Sequence, residues 1–114
     1  MESPQRKLPD APLAFLQACV RQRSIFWTYH MNMRLQRRSI ARQAMLDAVD
    51  TYAIIEAYPE DKYLPSYLVR ATHYEEVLHM LFATDVEGDN VRIITAYRPS
   101  PDEWENDGRT RRTP

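Results

Sequence analysis

The chain has 114 residues, 44% of them hydrophobic and 27% charged, with a net charge of −1; this suits one domain with a modest core and excludes a multidomain protein and a globally basic nucleic-acid binder. The single Cys19 excludes an internal disulfide and, within an apolar helical pattern, reads as a small core residue of a protein in a reducing cytosol. Charge is segregated: residues 1–42 carry eight Lys/Arg against two Asp/Glu, a net +6, residues 43–108 carry four against fourteen, a net −10, and 109–114 add three arginines. One surface can then attract phosphates while another repels them, unless the halves interleave and cancel.

In chain order, residues 1–11 read as a polar, proline-rich leader ending at a helix start, with Asp10 as cap and Pro12 in the first turn. A helix over about 12–22 follows, with Leu13, Leu16, Cys19 and Val20 as its apolar stripe. Its apolar stretch "PLAFLQACV" is too short to span a membrane and a poor secretory signal, which points to the cytoplasm. "SIFWTY" is aromatic and β-branched, either a short strand or an extended entry to the next helix. That helix covers about 30–38, and another covers "SIARQAMLDAVDTY", with Ser39 as its cap and its end near Asp50.

The period then changes to that of strands, in "YAIIEAYP", "SYLVRATHY", "EVLHMLFATDV" and "VRIITAYRP". "HYEE" reads as a tight hairpin turn and "EGDN" as a second, and "PEDKYLP" is a proline-bounded loop. The expected fold is α+β, with N-terminal helices packed on a three- to four-stranded antiparallel sheet. Periodicity is lost after Trp104, so the expected division is a leader at 1–11, one domain over 12–104 and a polar, disordered tail at 105–114.

The candidate chemistry begins with His30, Arg34 and Arg38, spaced H-x3-R-x3-R. On an α-helix each step of four drifts only about 40°, so the three stack on one stripe. Two guanidiniums present forked donors matched to phosphate oxygens, and an imidazole exchanges a proton near neutral pH. A solvated basic face is the commoner origin of such a stripe. His79 interrupts an apolar strand, on the face shared by Val77 and Leu81; a hydrogen-bonded core histidine is again the commoner explanation. Tyr97 closes the last strand, where its hydroxyl can reach a phosphate or donate a proton, or merely wet the tip of a packed ring. No zinc-ligand spacing, glycine-rich phosphate loop or G-x-S-x-G elbow is present, so no metal or cofactor is expected.

Taken in order, "TYHMNMRLQRRSI", "YPEDKYLPSYLV", "VLHMLFATD" and "VRIITAYRPSPDEW" resemble the bacterial domain-of-unknown-function family 4258. The resemblance spans about Trp27 to Trp104. It implies the fold of RelE-like and barnase-like ribonucleases, and a toxin-like endoribonuclease acting on RNA beside an MqsA-type zinc-finger antitoxin. The polar residues it matches are His30, Arg34, Arg38, Ser66, Tyr67, His79 and Tyr97, with Pro99, Pro101 and Trp104 as structural markers. Where the family pattern has Glu and Gly around the second arginine, this chain has Arg37 and Ser39. The reading that follows assigns His30, His79 and Tyr97 to catalysis and Arg34 and Arg38 to the phosphate. Its rival is a non-catalytic RNA- or protein-binding domain of the same fold.

Overall fold

The computed structural model of the chain describes residues 7–105 and 107–111; the parts of the expected leader and tail at 1–6, 106 and 112–114 lie outside the described residues. Helix α1 (Pro12–Arg21) opens on Pro12, whose fixed φ and missing N–H suit a first turn. Ala11, rather than Asp10, occupies the cap position and makes no side-chain cap bond. Leu16, Cys19 and Val20 are buried beneath the helix.

The chain then turns at Arg23, where φ is 63°, into the two-residue strand β1 (Ile25–Phe26). Helix α2 (Tyr29–Arg37) is capped by Thr28, whose hydroxyl accepts the Met31 N–H at 3.0 Å. At its other end Ser39 adopts φ 53° while the Ile40 N–H donates back to the Leu35 carbonyl at 2.9 Å. Ser39 therefore closes α2 rather than opening the next helix. Ala41 occupies that cap position, and α3 (Arg42–Asp47) runs into a 3-10 turn, Ala48–Thr51.

Strands β2 (Ala53–Tyr58), β3 (Ser66–His73), β4 (Glu76–Asp85) and β5 (Asn90–Tyr97) form an antiparallel meander. Its β3–β4 turn consists of Tyr74 and Glu75, both at positive φ, as a two-residue hairpin turn requires. Strand β1 adds a fifth member, parallel to the start of β5, and the order is β1-β5-β4-β3-β2. The sheet is thus five-stranded and mixed, not three- to four-stranded and antiparallel. A two-residue strand is too short to show any period, and its pairing is set by contacts far along the chain.

Every second residue of the inner strands faces the helices. Val69, Met80, Phe82, Ile93 and Ala96 join Leu16, Val20, Met31, Leu35 and Met45 in one core. The opposite, outer face is crossed by the segment after β5: Trp104 is 2% exposed and packs against His79. Residues 107–111 of the expected tail also lie on this face and hydrogen-bond to it. Strands β3 and β4 are therefore covered on both sides, which is why "YLVRA" and "LHMLFAT" lack a clean apolar/polar alternation.

Candidate active site on the outer sheet face

Two cross-strand rows build this face. One runs Arg70, His79, Tyr97; the other runs Glu56, Leu68, Leu81, Thr95. Side chains opposite one another in a ladder share a face. The register shifts by one residue at Ile55 in β2 and at Ile94 in β5. An extra residue inverts everything beyond it. Hence Ile54 and Ile93 point into the core while Glu56, Thr95 and Tyr97 point outward.

Between the rows and the β2–β3 loop lies a cleft of about 690 Å³. Leu68, Leu81 and Thr95 form its floor, and Tyr58, Pro59, Glu60, Asp61, Tyr97 and Arg111 form its walls. Glu56 sits beside it, held by Arg111 through Nε at 2.5 Å and Nη2 at 3.0 Å. The Tyr58 hydroxyl donates to the same carboxylate. The Arg111 hydrogen bond, aided by that of Tyr58, keeps the Glu56 carboxyl below its usual range, so it is ionised at neutral pH. Burial pushes the Tyr97 phenol up, so it remains a protonated donor.

His79 is fully buried. Its Nε2 lies 2.6 Å from the Gly108 carbonyl, which only accepts, so Nε2 carries the proton. Nδ1 has no partner among the described residues. The ring stands edge-on to Trp104 at 4.4 Å and to Tyr97 at 5.4 Å. Burial lowers its pKa and keeps it neutral. Arg111 stacks over Trp104 at 4.5 Å, so the indole contacts both the guanidinium and the His79 ring.

The basic stripe lies at the sheet edge. Beyond β1, the edge of β5 is met by Arg38, whose Nη1 donates to the Ala96 carbonyl at 2.6 Å and to the Thr95 hydroxyl at 3.4 Å. Arg98 answers it, donating to the Arg38 and Ser39 carbonyls and pairing with Glu76. Arg38 is thus brought beside Thr95 and Tyr97, though partly committed to holding α2 on the sheet. Arg34 and His30 are exposed one and two turns back along α2; an axial rise of about 12 Å separates His30 from Arg38. Among the described residues the Arg34 side chain has no hydrogen bond or ion pair, and the His30 ring meets only that of Tyr29, at 6.0 Å. His30 and His79 are not brought together, because His79 faces away from the helices.

Ser66 is buried with its hydroxyl donating to Asp61 at 2.7 Å, and Tyr67 is a core residue on the helix side. Glu56, Tyr58 and Arg111 escape a reading by period: unbroken alternation from Ile54 places Glu56 on the core side, and Arg111 lies 55 residues from its partner. Among the described residues no group of three or more His, Cys, Asp or Glu could hold a metal ion, and no helix is long and apolar enough to cross a membrane.

No curated protein and no solved structure matches the chain. Residues 27–98 match the family described as Domain of unknown function (DUF4258), and that segment runs from the lead-in to α2 through all four meander strands to Arg98. The chain belongs to this family, whose matched segment supplies Glu56, His79, Tyr97 and the α2 stripe.

Proposed function

We propose that the chain is a toxin-like, metal-independent endoribonuclease of the RelE- and barnase-like kind, with RNA bound in the outer-face cleft. The observation that carries this reading is a cleft of about 690 Å³ lined by Thr95, Tyr97 and Arg111, with an ionised Glu56 held beside it by Arg111 and Arg38 bonded to Thr95 and Ala96 at the β5 edge. In the proposed reaction the ribose 2′ oxygen bonds to the adjacent phosphorus as the bond to the 5′ oxygen breaks. Glu56 takes the 2′-hydroxyl proton, Tyr97 donates to the departing oxygen, and Arg34 and Arg38 hold the phosphate. His79 supports the Tyr97 ring. An MqsA-like zinc-finger antitoxin is the proposed partner of the intact chain.

Purified protein incubated with RNA in excess chelator tests the reaction. Cleavage should persist without divalent metal and should fall by about 100-fold or more in Tyr97→Phe and in Glu56→Gln. RNA left intact by every contaminant-free form of the chain, Arg111→Ala included, would overturn it. The sealing of His79 favours the second reading, a binding domain without turnover; retarded RNA with no cleavage products would establish that instead.

A further inference from the structure

Residues 107–111 hold two proton-handling groups of the outer face at once. The Gly108 carbonyl takes His79 Nε2, and the Arg111 guanidinium takes both carboxylate oxygens of Glu56. The segment keeps its own shape: the Asp107 carboxylate accepts from the Arg109 N–H at 2.7 Å, the Thr110 N–H at 3.0 Å and the Thr110 hydroxyl at 2.9 Å. Beyond those two bonds, Arg70 Nε donates to the Asp107 carbonyl at 2.9 Å. The other partners lie in the segment just before it: Arg111 bridges to Trp104 and stacks on its ring, and the Thr110 carbonyl accepts from the Glu105 N–H at 2.7 Å. Of these five residues only Gly108 is buried. Arg111 is itself about half exposed, and solvated ion pairs hold weakly. A turn that is internally braced and buries little apolar surface can leave as a unit.

We propose that 107–111 is an autoinhibitory strap: closed, it withholds Glu56 and His79 Nε2 from the cleft, and its release makes both available to RNA. The inhibitory role rests on the nuclease reading; the opening itself does not. Closed, Glu56 is neutralised by Arg111 and His79 is out of reach of solvent. Open, Glu56 gains a free acceptor oxygen and His79 presents an N–H beside Tyr97. Gly108 is the point at which the strap can be forced off. Its φ is +66°, and a Cβ there would lie 2.9 Å from Val77 Cγ1 and 3.3 Å from Arg70 Nε.

The test uses the full chain and its Arg111→Ala and Gly108→Ala variants, with two measurements on each. Diethylpyrocarbonate modification of individual histidines, read by peptide mass, reports opening, with exposed His30 and half-buried His73 as internal references. RNA cleavage reports inhibition. His79 should be protected in the parent relative to His30, and both variants should speed its modification by about tenfold or more while His30 is unchanged. Cleavage should rise in the same variants. His79 that stays protected in both variants overturns the strap. Faster modification with unchanged or reduced cleavage overturns its inhibitory role, since 107–111 would then be part of the working site. Cleavage by no form overturns the nuclease reading and the inhibitory role together, while the labelling still decides whether the strap opens.

Discussion

His79 combines features that set its behaviour with pH. It is fully buried, its Nε2 proton is given to a carbonyl, and its Nδ1 has no partner among the described residues. A proton added at Nδ1 would place a cation beside Arg70 and Arg111, which also oppose it, so the folded pKa lies below the ordinary 6.5. The unfolded chain then binds more protons than the folded one between those two values. The stabilisation is fully present above about pH 6.5 and is lost as pH falls through the lowered folded pKa. Urea unfolding from pH 7.5 to 5 should show stability declining below pH 6.5, and the decline should shrink in His79→Phe; equal declines would assign it to other groups. Ser39 presents a different conflict. Its φ of 53° lies in the left-handed region, where an L side chain is strained. Ser39→Gly should raise unfolding free energy by about 1 kcal/mol with no change in the site. Trp104, nearly inaccessible against His79, should cost about 3–5 kcal/mol when truncated to alanine, measured by the same unfolding experiment.

At the scale of elements, α2 is fastened to the sheet by a reciprocal clasp. Arg38 at the helix end donates to a β5 carbonyl, and Arg98 just past β5 donates to the carbonyls at the helix end. Each guanidinium satisfies acceptors the other element leaves open: the last turn of a helix and the exposed edge of a strand. Arg98→Ala should cost about 1 kcal/mol and speed amide exchange at the α2 C-terminus and the 38–41 turn, while β3 and β4 exchange as before. Uniform acceleration across the sheet would mean the clasp stabilises the whole fold rather than the helix end. The register shifts at Ile55 and Ile94 act at the same scale. They turn otherwise ordinary strands so that Glu56, Thr95 and Tyr97 share the cleft face, a change that neither composition nor propensity records.

At the scale of the molecule, the excess positive charge of residues 1–42 is carried in part by α2 and its C-terminal end, where Arg34, Arg37 and Arg38 are exposed. The acidic remainder includes exposed residues at the two hairpin ends, Glu75 and Glu87 and Asp89 in the turns and Glu76 at the start of β4. A polyanion approaching the cleft would meet the α2 side. Under the nuclease reading, Arg34→Glu should weaken RNA binding and flatten the dependence of affinity on salt, by about one charge or more in the log–log slope; an unaltered slope would show that α2 does not meet the backbone. Much of the architecture was legible in the sequence, because helix and strand periods, the helix expected over about 30–38 and the "HYEE" turn are written in neighbouring residues. The pairing of His79 with Tyr97 on one face was not legible: alternation put His79 on the face of Val77 and Leu81, and nothing local showed that this face turns away from the helices or what would cover it. The amino-acid sequence by itself therefore determined the kinds and order of the elements and the residues able to do chemistry, since these follow from spacing within a turn or a strand. Only the tertiary structure decided which of those residues meet. A one-residue bulge inverts a side chain's face, and the bonds that close the site, His79 to Gly108 and Glu56 to Arg111, join positions 29 and 55 residues apart.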